Sequence, residues 1–197
     1  MYDGSFLLKG KNIMVKSICV YCGSNIGYKN IYSEIAENFA KEIVKNNLTL
    51  IYGGGNVGIM KIISDTVINN GGSVIGIIPE FLNKHHLGNS RITELKIVPD
   101  IHIRKKTMFD LSNYFVALPG GLGTFEEITE ILTWKQLNLH NKPCALLNIN
   151  RFYDDFIKML QKSVDEGFMK QKNLDNIIVE QDCAKLIDRL TNAEDKQ

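Results

Sequence analysis

Seven short apolar runs alternate along this chain with stretches of helical periodicity, and that alternation restricts the possible folds more than any other feature. The runs are 15–21 (VKSICVY), 48–52 (LTLIY), 73–78 (SVIGII), 94–98 (ELKIV), 113–118 (NYFVAL), 143–149 (PCALLNI) and 176–180 (NIIVE). Several are almost unbroken Val, Ile and Leu, which suits strands covered on both faces. Between them, apolar residues recur at three- and four-residue spacing: Ile35, Phe39 and Ile43, then Ile62, Ile63 and Val67, then Phe125, Ile128, Ile131 and Leu132. Strand–helix alternation of this kind predicts an α/β fold: a Rossmann-like open parallel sheet of about seven strands with helices on both faces.

A length of 197 residues with 44% hydrophobic content fits one domain with a sizeable core. Residues 14–192 are expected to form it, after an N-terminal extension over 1–13 and before a polar tail over 193–197. The 23 Lys and Arg nearly balance the 22 Asp and Glu, so the basic excess of a nucleic-acid-polymer binder is missing. No run approaches the roughly 18 apolar residues of a membrane span. The N-terminus has neither the apolar core nor the small-residue cleavage site of a secretory signal, so the expected compartment is the cytoplasm. Cys19 and Cys22 have the spacing of a redox or zinc half-site. They sit on one apparent strand, where residues three apart point to opposite faces, and no second pair follows. No metal is expected.

In an open parallel sheet, ligands bind beyond the carboxyl ends of the strands, and three such loops stand out. Cys22-Gly23-Ser24-Asn25 reads as a turn with a hydroxyl to offer an anion. Gly53-Gly54-Gly55-Asn56-Val57-Gly58 matches G-x-G-x-x-G between a strand and a helix, a pattern that brings backbone amides and a helix N-terminus to a phosphate. For a nicotinamide dinucleotide an acidic residue is wanted about 20 positions on. Glu80 lies too far on, behind Pro79, so an NAD-dependent oxidoreductase is a poor fit and a plain tight turn stays open. The third loop, Pro119 to Glu127, again joins a strand to a helix. Its Thr124 and Glu127 form the T-x-x-E pattern of a capping box, in which Glu127 merely reaches back to the Thr124 amide. A capping box needs none of the three glycines in front of it. Two glycine-rich helix openings in one sheet suggest a single-nucleotide phosphate site, and no GK[ST] supports a triphosphate loop. Asp100 to Met108 carries Arg104, Lys105 and Lys106 on a further helix: an anion clamp or a solvated basic face.

CVYCGSN, IYGGGNVGIM, HIRKKTM, VALPGGLGTFEEI, ITEILTWKQL and KPCALLN occur in that order. Together they closely resemble the LOG ("Lonely guy") family, cytokinin riboside 5′-monophosphate phosphoribohydrolases and related bacterial proteins formerly labelled possible lysine decarboxylases. The resemblance runs from about Lys16 to Phe168. It implies a homodimer with sites near the subunit interface, and hydrolysis of the N-glycosidic bond of a nucleoside 5′-monophosphate, such as AMP or a cytokinin riboside monophosphate, to free base and ribose 5-phosphate. It puts Arg104 and Glu127 at the catalytic positions. It puts Lys105, Gly120, Gly121, Leu122, Gly123, Thr124, Phe125, Glu126 and Thr133 at substrate-contacting ones, with Ser24, Gly54 and Gly55 in other loops near the nucleotide. The old label would imply pyridoxal phosphate, but nothing in the residues argues for a Schiff-base lysine, and no cofactor is expected. Many members carry an acidic residue where this chain reads Lys84-His85-His86-Leu87-Gly88. Base selectivity is therefore expected to be set in the loop 80–93. The alternative from another class is a non-catalytic nucleotide or molybdenum-cofactor carrier of similar fold, which need not keep both Arg104 and Glu127.

The chemistry implied has positive charge spreading over the sugar ring at the transition state, which a carboxylate beside the anomeric carbon stabilises. Glu127, read as lying in a first helical turn, is expected to be ionised. Arg104 then holds either the phosphate or that carboxylate, and the loop 120–124 takes the phosphate on backbone amides. Leu132, Trp134 and Leu137 read as core or subunit contact, with core expected for at least two of them.

Overall fold

The computed structural model describes residues 15–84 and 88–194. The expected extension over 1–13 lies outside them, as do residues 85–87 of the loop expected to select the base. The strands are β1 (Ser17–Tyr21), β2 (Thr49–Tyr52), β3 (Val74–Pro79), β4 (Glu94–Val98), β5 (Tyr114–Ala117), β6 (Cys144–Leu147) and β7 (Ile177–Glu180). The helices are α1 (Ile31–Lys45), α2 (Gly58–Asn69), α3 (Glu80–Asn83), α4 (Ile101–Asp110), α5 (Leu122–Gln136), α6 (Asp154–Asp165), α7 (Gln171–Asp175) and α8 (Cys183–Glu194).

All seven strands form one sheet in the order β4-β3-β2-β1-β5-β6-β7, and every pairing is parallel. Each strand falls on one of the seven apolar runs. The run 143–149 stops pairing at Leu147, and a 3-10 turn follows over Ile149–Arg151. Burial explains the unbroken apolar character: β1, β3, β5 and β6 are buried at every residue, whereas edge strand β4 is only partly covered.

Two cores flank the sheet. On one face Ile18 and Val20 meet Phe39 and Ile43 of α1, Ile63 and Val67 of α2, and Leu186, Ile187 and Leu190 of α8. On the other, Cys19 and Tyr21 meet Met108 of α4 and Ile128 and Ile131 of α5, with Phe156 and Leu160 of α6 packed alongside. Cys19 and Cys22 belong to opposite cores and are free thiols. Leu132 and Trp134 pack on the second core, while Leu137 is 59% exposed. Helix α8 runs into the expected tail as far as Glu194, because Ala193 still packs on the first core.

Chain order reverses between β1 and β5, the switch point where the loops leaving two adjacent strands diverge to opposite sides. There the β1 and β5 ends are stitched together: the Leu118 amide donates to the Tyr21 carbonyl at 2.9 Å, and the Gly23 amide to that of Pro119 at 3.2 Å. Helix α4 is aimed at this point by its cap. The Asp100 carboxylate accepts from the amides of His102 and Ile103, both at 2.8 Å. Asp100→Ala is expected to lower stability by about 1 kcal/mol through the lost cap, read as a lower urea midpoint with an unchanged slope.

Candidate active site

Arg104, in the first turn of α4, and Glu127, in the second turn of α5, come from opposite sides of the switch point and meet at 2.6 Å between Nη1 and Oε1. Their side chains are only 12% and 10% exposed. A second bond fixes the arginine, whose Nε donates to the Ile77 carbonyl at 3.2 Å. The pair lies on the wall of a cavity of about 230 Å³, completed by Cys22 to Ser24, Gly53, Met60 and Gly121 to Thr124. An adjoining cavity of about 200 Å³ shares Gly23, Ser24 and Gly121 and is otherwise lined largely by Ile26, Tyr32, Ile59 and Phe152.

The capping box is not formed. Helix α5 starts at Leu122 with Gly121 as its cap residue, and no side chain closes that end. Thr124 is thus the third residue of the helix and Glu127 the sixth. Glu127 turns inward to Arg104 because the fold supplies a buried cation there. The first amides of α5 have no partner within the helix, and their residues, Leu122 to Thr124, line the cavity, where a helix N-terminus adds partial positive charge. Gly120 permits this approach, since a Cβ on it would stand 2.1 Å from Thr124 Oγ1 and 2.9 Å from the Gly23 nitrogen.

The expectation that Glu127 is ionised through a first-turn position is corrected too. Burial pushes its carboxyl up. The Arg104 charge and hydrogen bond pull it back down, but burial prevails and the net direction is upward. Burial likewise drives the Cys22 thiol far above its ordinary range, so the sulfur on the cavity wall is not a nucleophile at neutral pH.

The remaining expected site residues divide. Ser24 and Gly121 to Thr124 line the cavity with the pair. Gly54 and Gly55 do not: the G-x-G-x-x-G turn serves packing. Gly54, at φ +74°, leaves no room for a side chain against Ile77 and Ile78, and its carbonyl accepts the Asn89 amide at 2.9 Å. Gly55 bridges Gly88. Gly58, at φ +57°, lies so near the Ser24 backbone that a Cβ would fall 2.2 Å from it. The turn thus docks the β1 loop on one side and the segment after residue 87 on the other, a use that leaves its amides little freedom to cradle a dinucleotide. Phe125 stacks on Phe152 at 6.3 Å, buttressing α5 from behind. Lys105 donates to Glu126 and, at 3.0 Å, to Glu130. Burial alone would lower its ammonium, but those two hydrogen bonds outweigh it and raise the pKa. Thr133 donates back to the Thr129 carbonyl farther along α5. Val20 and Met60 line the cavity without having been singled out from the sequence, and Gly53, noted there only as the first glycine of its motif, joins them.

With this geometry in hand, the comparisons with known proteins are decisive for the family. A family model described as "Possible lysine decarboxylase" matches residues 60–190. Cytokinin riboside 5′-monophosphate phosphoribohydrolase LOG1 of Arabidopsis thaliana is 41% identical over 175 residues, 89% of this chain and 82% of that protein. LOG2 of the same plant is 45% identical over 154 residues, 78% of this chain and 72% of that protein. The chain belongs to the LOG family. Among solved structures, the molybdenum cofactor binding protein of Rippkaea orientalis superposes with a TM-score of 0.69 at 20% identity, covering 91% of this chain and 98% of that one. The Moco carrier protein of Chlamydomonas reinhardtii gives 0.68, also at 20%, covering 92% and 98%. At that identity these two share the fold alone.

The label of the matching family would call for pyridoxal phosphate. Among the described residues of this LOG-family chain no lysine lines the cavity, and Lys105 is engaged by two carboxylates, so the residues present do not fit a Schiff base. Among the described residues no group of three or more His, Cys, Asp or Glu is placed to hold a metal ion, and no helix is long and apolar enough to cross a membrane. Because Arg104 is what restrains the Glu127 carboxyl, Arg104→Met is expected to raise its titration further. Carbon-13 NMR of the Glu127 carboxyl should give a pKa above the ordinary value of about 4.3 in the wild type and a higher one in the variant.

Proposed function

We propose that this protein hydrolyses the N-glycosidic bond of a nucleoside 5′-monophosphate, such as AMP or a cytokinin riboside monophosphate, releasing the base and ribose 5-phosphate. The observation that carries the reading is the buried Arg104–Glu127 pair beside an uncapped helix N-terminus in one cavity. The names of the relatives at about 40% identity support it.

The 5′-phosphate sits on the Leu122, Gly123 and Thr124 amides with the Ser24 hydroxyl, where partial positive charge favours an anion. The ribose then extends toward Glu127. As the C1′–nitrogen bond breaks, its electron pair leaves with the base, and positive charge spreads over C1′ and the ring oxygen. The Glu127 carboxylate lies against that charge and accepts a proton from the water that attacks C1′. The proton passes on to the departing base, so water is consumed and nothing else. Arg104 keeps Glu127 oriented and opposes the upward push of burial on its carboxyl. A carrier for molybdenum cofactor would use the same fold, but it has no need of a carboxylate held this way.

The proposal extends to a cytoplasmic homodimer. The four free cysteines suit a reducing compartment. Leu137 and Leu139, 59% and 66% exposed just beyond α5, suit a subunit contact. A partner at that helix would also give Lys105, Glu126 and Thr133, which line no part of this chain's cavity, a substrate to meet.

The test is chromatography of a panel of nucleosides and nucleoside monophosphates after incubation with the purified protein. Free base is expected from the monophosphates and far less from the nucleosides. Glu127→Gln is expected to cut base release by at least about a hundredfold while nucleotide binding is retained and the chain still folds, with a lower melting temperature because buried Arg104 loses its counter-charge. Equal turnover by the variant, or no base from any monophosphate, rules the reading out. In active enzyme kcat/KM should fall on the acid side with an apparent pKa above the ordinary carboxylate value, since burial raises Glu127 and only its ionised form works.

A further inference from the structure

Gly53 is the first residue beyond β2, and it approaches a different nitrogen of the Arg104 guanidinium from the one that bonds Glu127. A Cβ built on it would stand 2.1 Å from Arg104 Nη2 and 3.2 Å from Cζ, which is overlap. The Nη2 corner of the guanidinium therefore occupies the space that a side chain at residue 53 would need. Its other two nitrogens are committed: Nε to the Ile77 carbonyl at 3.2 Å and Nη1 to Glu127 at 2.6 Å. A planar group held at two corners has no sideways freedom. Pressure on the third corner must break one of the two bonds.

We infer that Gly53 is a positioning residue for the hydrolysis: the absence of a side chain there is what lets Arg104 reach Glu127 while still bonded to Ile77. The inference rests on the catalytic reading of the pair. It also gives the first glycine of the G-x-G-x-x-G motif a purpose unlike that of its neighbours. Gly54 and Gly58 are required by their own positive φ angles, whereas Gly53 has none, so an alanine is conformationally acceptable at 53. The atom it would strike is the tip of a long side chain, not backbone. The chain is therefore expected to fold with alanine there and to move the arginine. The methionine on the same wall, whose Sδ stands 3.5 Å from the built Cβ, is in ordinary contact and needs no rearrangement.

The test is a double-mutant cycle of Gly53→Ala with Arg104→Lys. Lysine has no second nitrogen to collide with a methyl group. In the wild-type background Gly53→Ala is expected to lower kcat about a hundredfold, as a misplacement of about 1 Å does. KM should change little, and the acid limb should move to higher pH as Glu127 loses its cation. In the Arg104→Lys background the same substitution is expected to change kcat by less than about threefold, the two effects being non-additive. An equal loss in both backgrounds, or an unmoved acid limb, would assign Gly53 a packing role only and overturn the inference. A crystal structure of Gly53→Ala supplies a readout independent of turnover. Arg104 Nη1 should have withdrawn from Glu127 beyond about 4 Å, and retention of the bond overturns the inference whatever reaction the protein performs. Absence of base release by the wild type would instead defeat the catalytic reading and leave this geometric outcome to decide the inference.

Discussion

A carboxylate nine-tenths out of water is a costly thing to keep charged, and the whole switch point is arranged around offsetting that cost with Arg104. The two residues lie 23 apart in sequence, on helices that begin on either side of β5. Neither helix could bring its charge inward cheaply alone: a lone Glu127 there would take up a proton, and a lone Arg104 would stay charged and unmatched. Together they form a pair at hydrogen-bonding distance, with the arginine's remaining reach tied to a backbone carbonyl. Removing one partner from such a pair costs more than the pair itself contributes, since the other is left buried and unmatched. The pair is therefore better understood as a device for setting the state of Glu127 than as a source of stability. Burial raises its proton affinity and Arg104 holds that rise in check, the balance that the proposed role of proton acceptor requires.

The cavity around the pair is shaped by what is missing. At Gly120 a side chain would collide with Thr124, at Gly58 with the Ser24 backbone, and at Gly53 with Arg104. Each collision would separate two elements that must touch: β5 from α5, α2 from the β1 loop, and β2 from α4. These glycines therefore set distances between elements, and the flexibility of the loops they occupy is incidental. The same close approach leaves the start of α5 on the cavity wall without a side-chain cap, because Gly121 brings no side chain to close the helix. The proposed anion binding and sugar chemistry would thus draw on one structural choice.

The sheet was legible because each strand carries its own signal. β1, β3, β5 and β6 are buried on both faces, and the sequence answers with runs of Val, Ile, Leu and aromatics that no surface helix would tolerate. The order of the strands along the chain then placed the functional loops, since parallel crossovers put all their carboxyl ends on one side. What periodicity could not settle was the use of individual side chains. Thr124 and Glu127 fit a capping box by spacing, but spacing does not reveal that the helix begins two residues before Thr124, or that an arginine from another helix waits for the carboxylate. Lys105 and Arg104 are neighbours of the same charge type. Only the packing of α4 decides that one turns into the cavity and the other to Glu126 and Glu130. Leu137 breaks from Leu132 and Trp134 for the related reason that α5 ends just before it, beyond the edge of the core.

The glycine motif at 53–58 shows why a pattern alone misleads. In a dinucleotide fold the first glycine makes the tight turn, the second lets backbone meet pyrophosphate and the third packs helix on strand. Here the same spacing between the same elements lets backbone meet protein: an arginine at Gly53, the Ile77–Ile78 strand at Gly54 and the Ser24 turn at Gly58. The requirement common to both uses is close approach, and the sequence records that requirement without saying what approaches. Charge provides the distinction. A phosphate bound at this turn would sit beside the Arg104 guanidinium and compete with Glu127 for it. An anion at the α5 terminus would leave the ion pair whole. In the proposed reading, two glycine-rich helix openings in one small sheet thus divide their labour, the second taking the anion while the first holds the arginine that keeps the carboxylate in place.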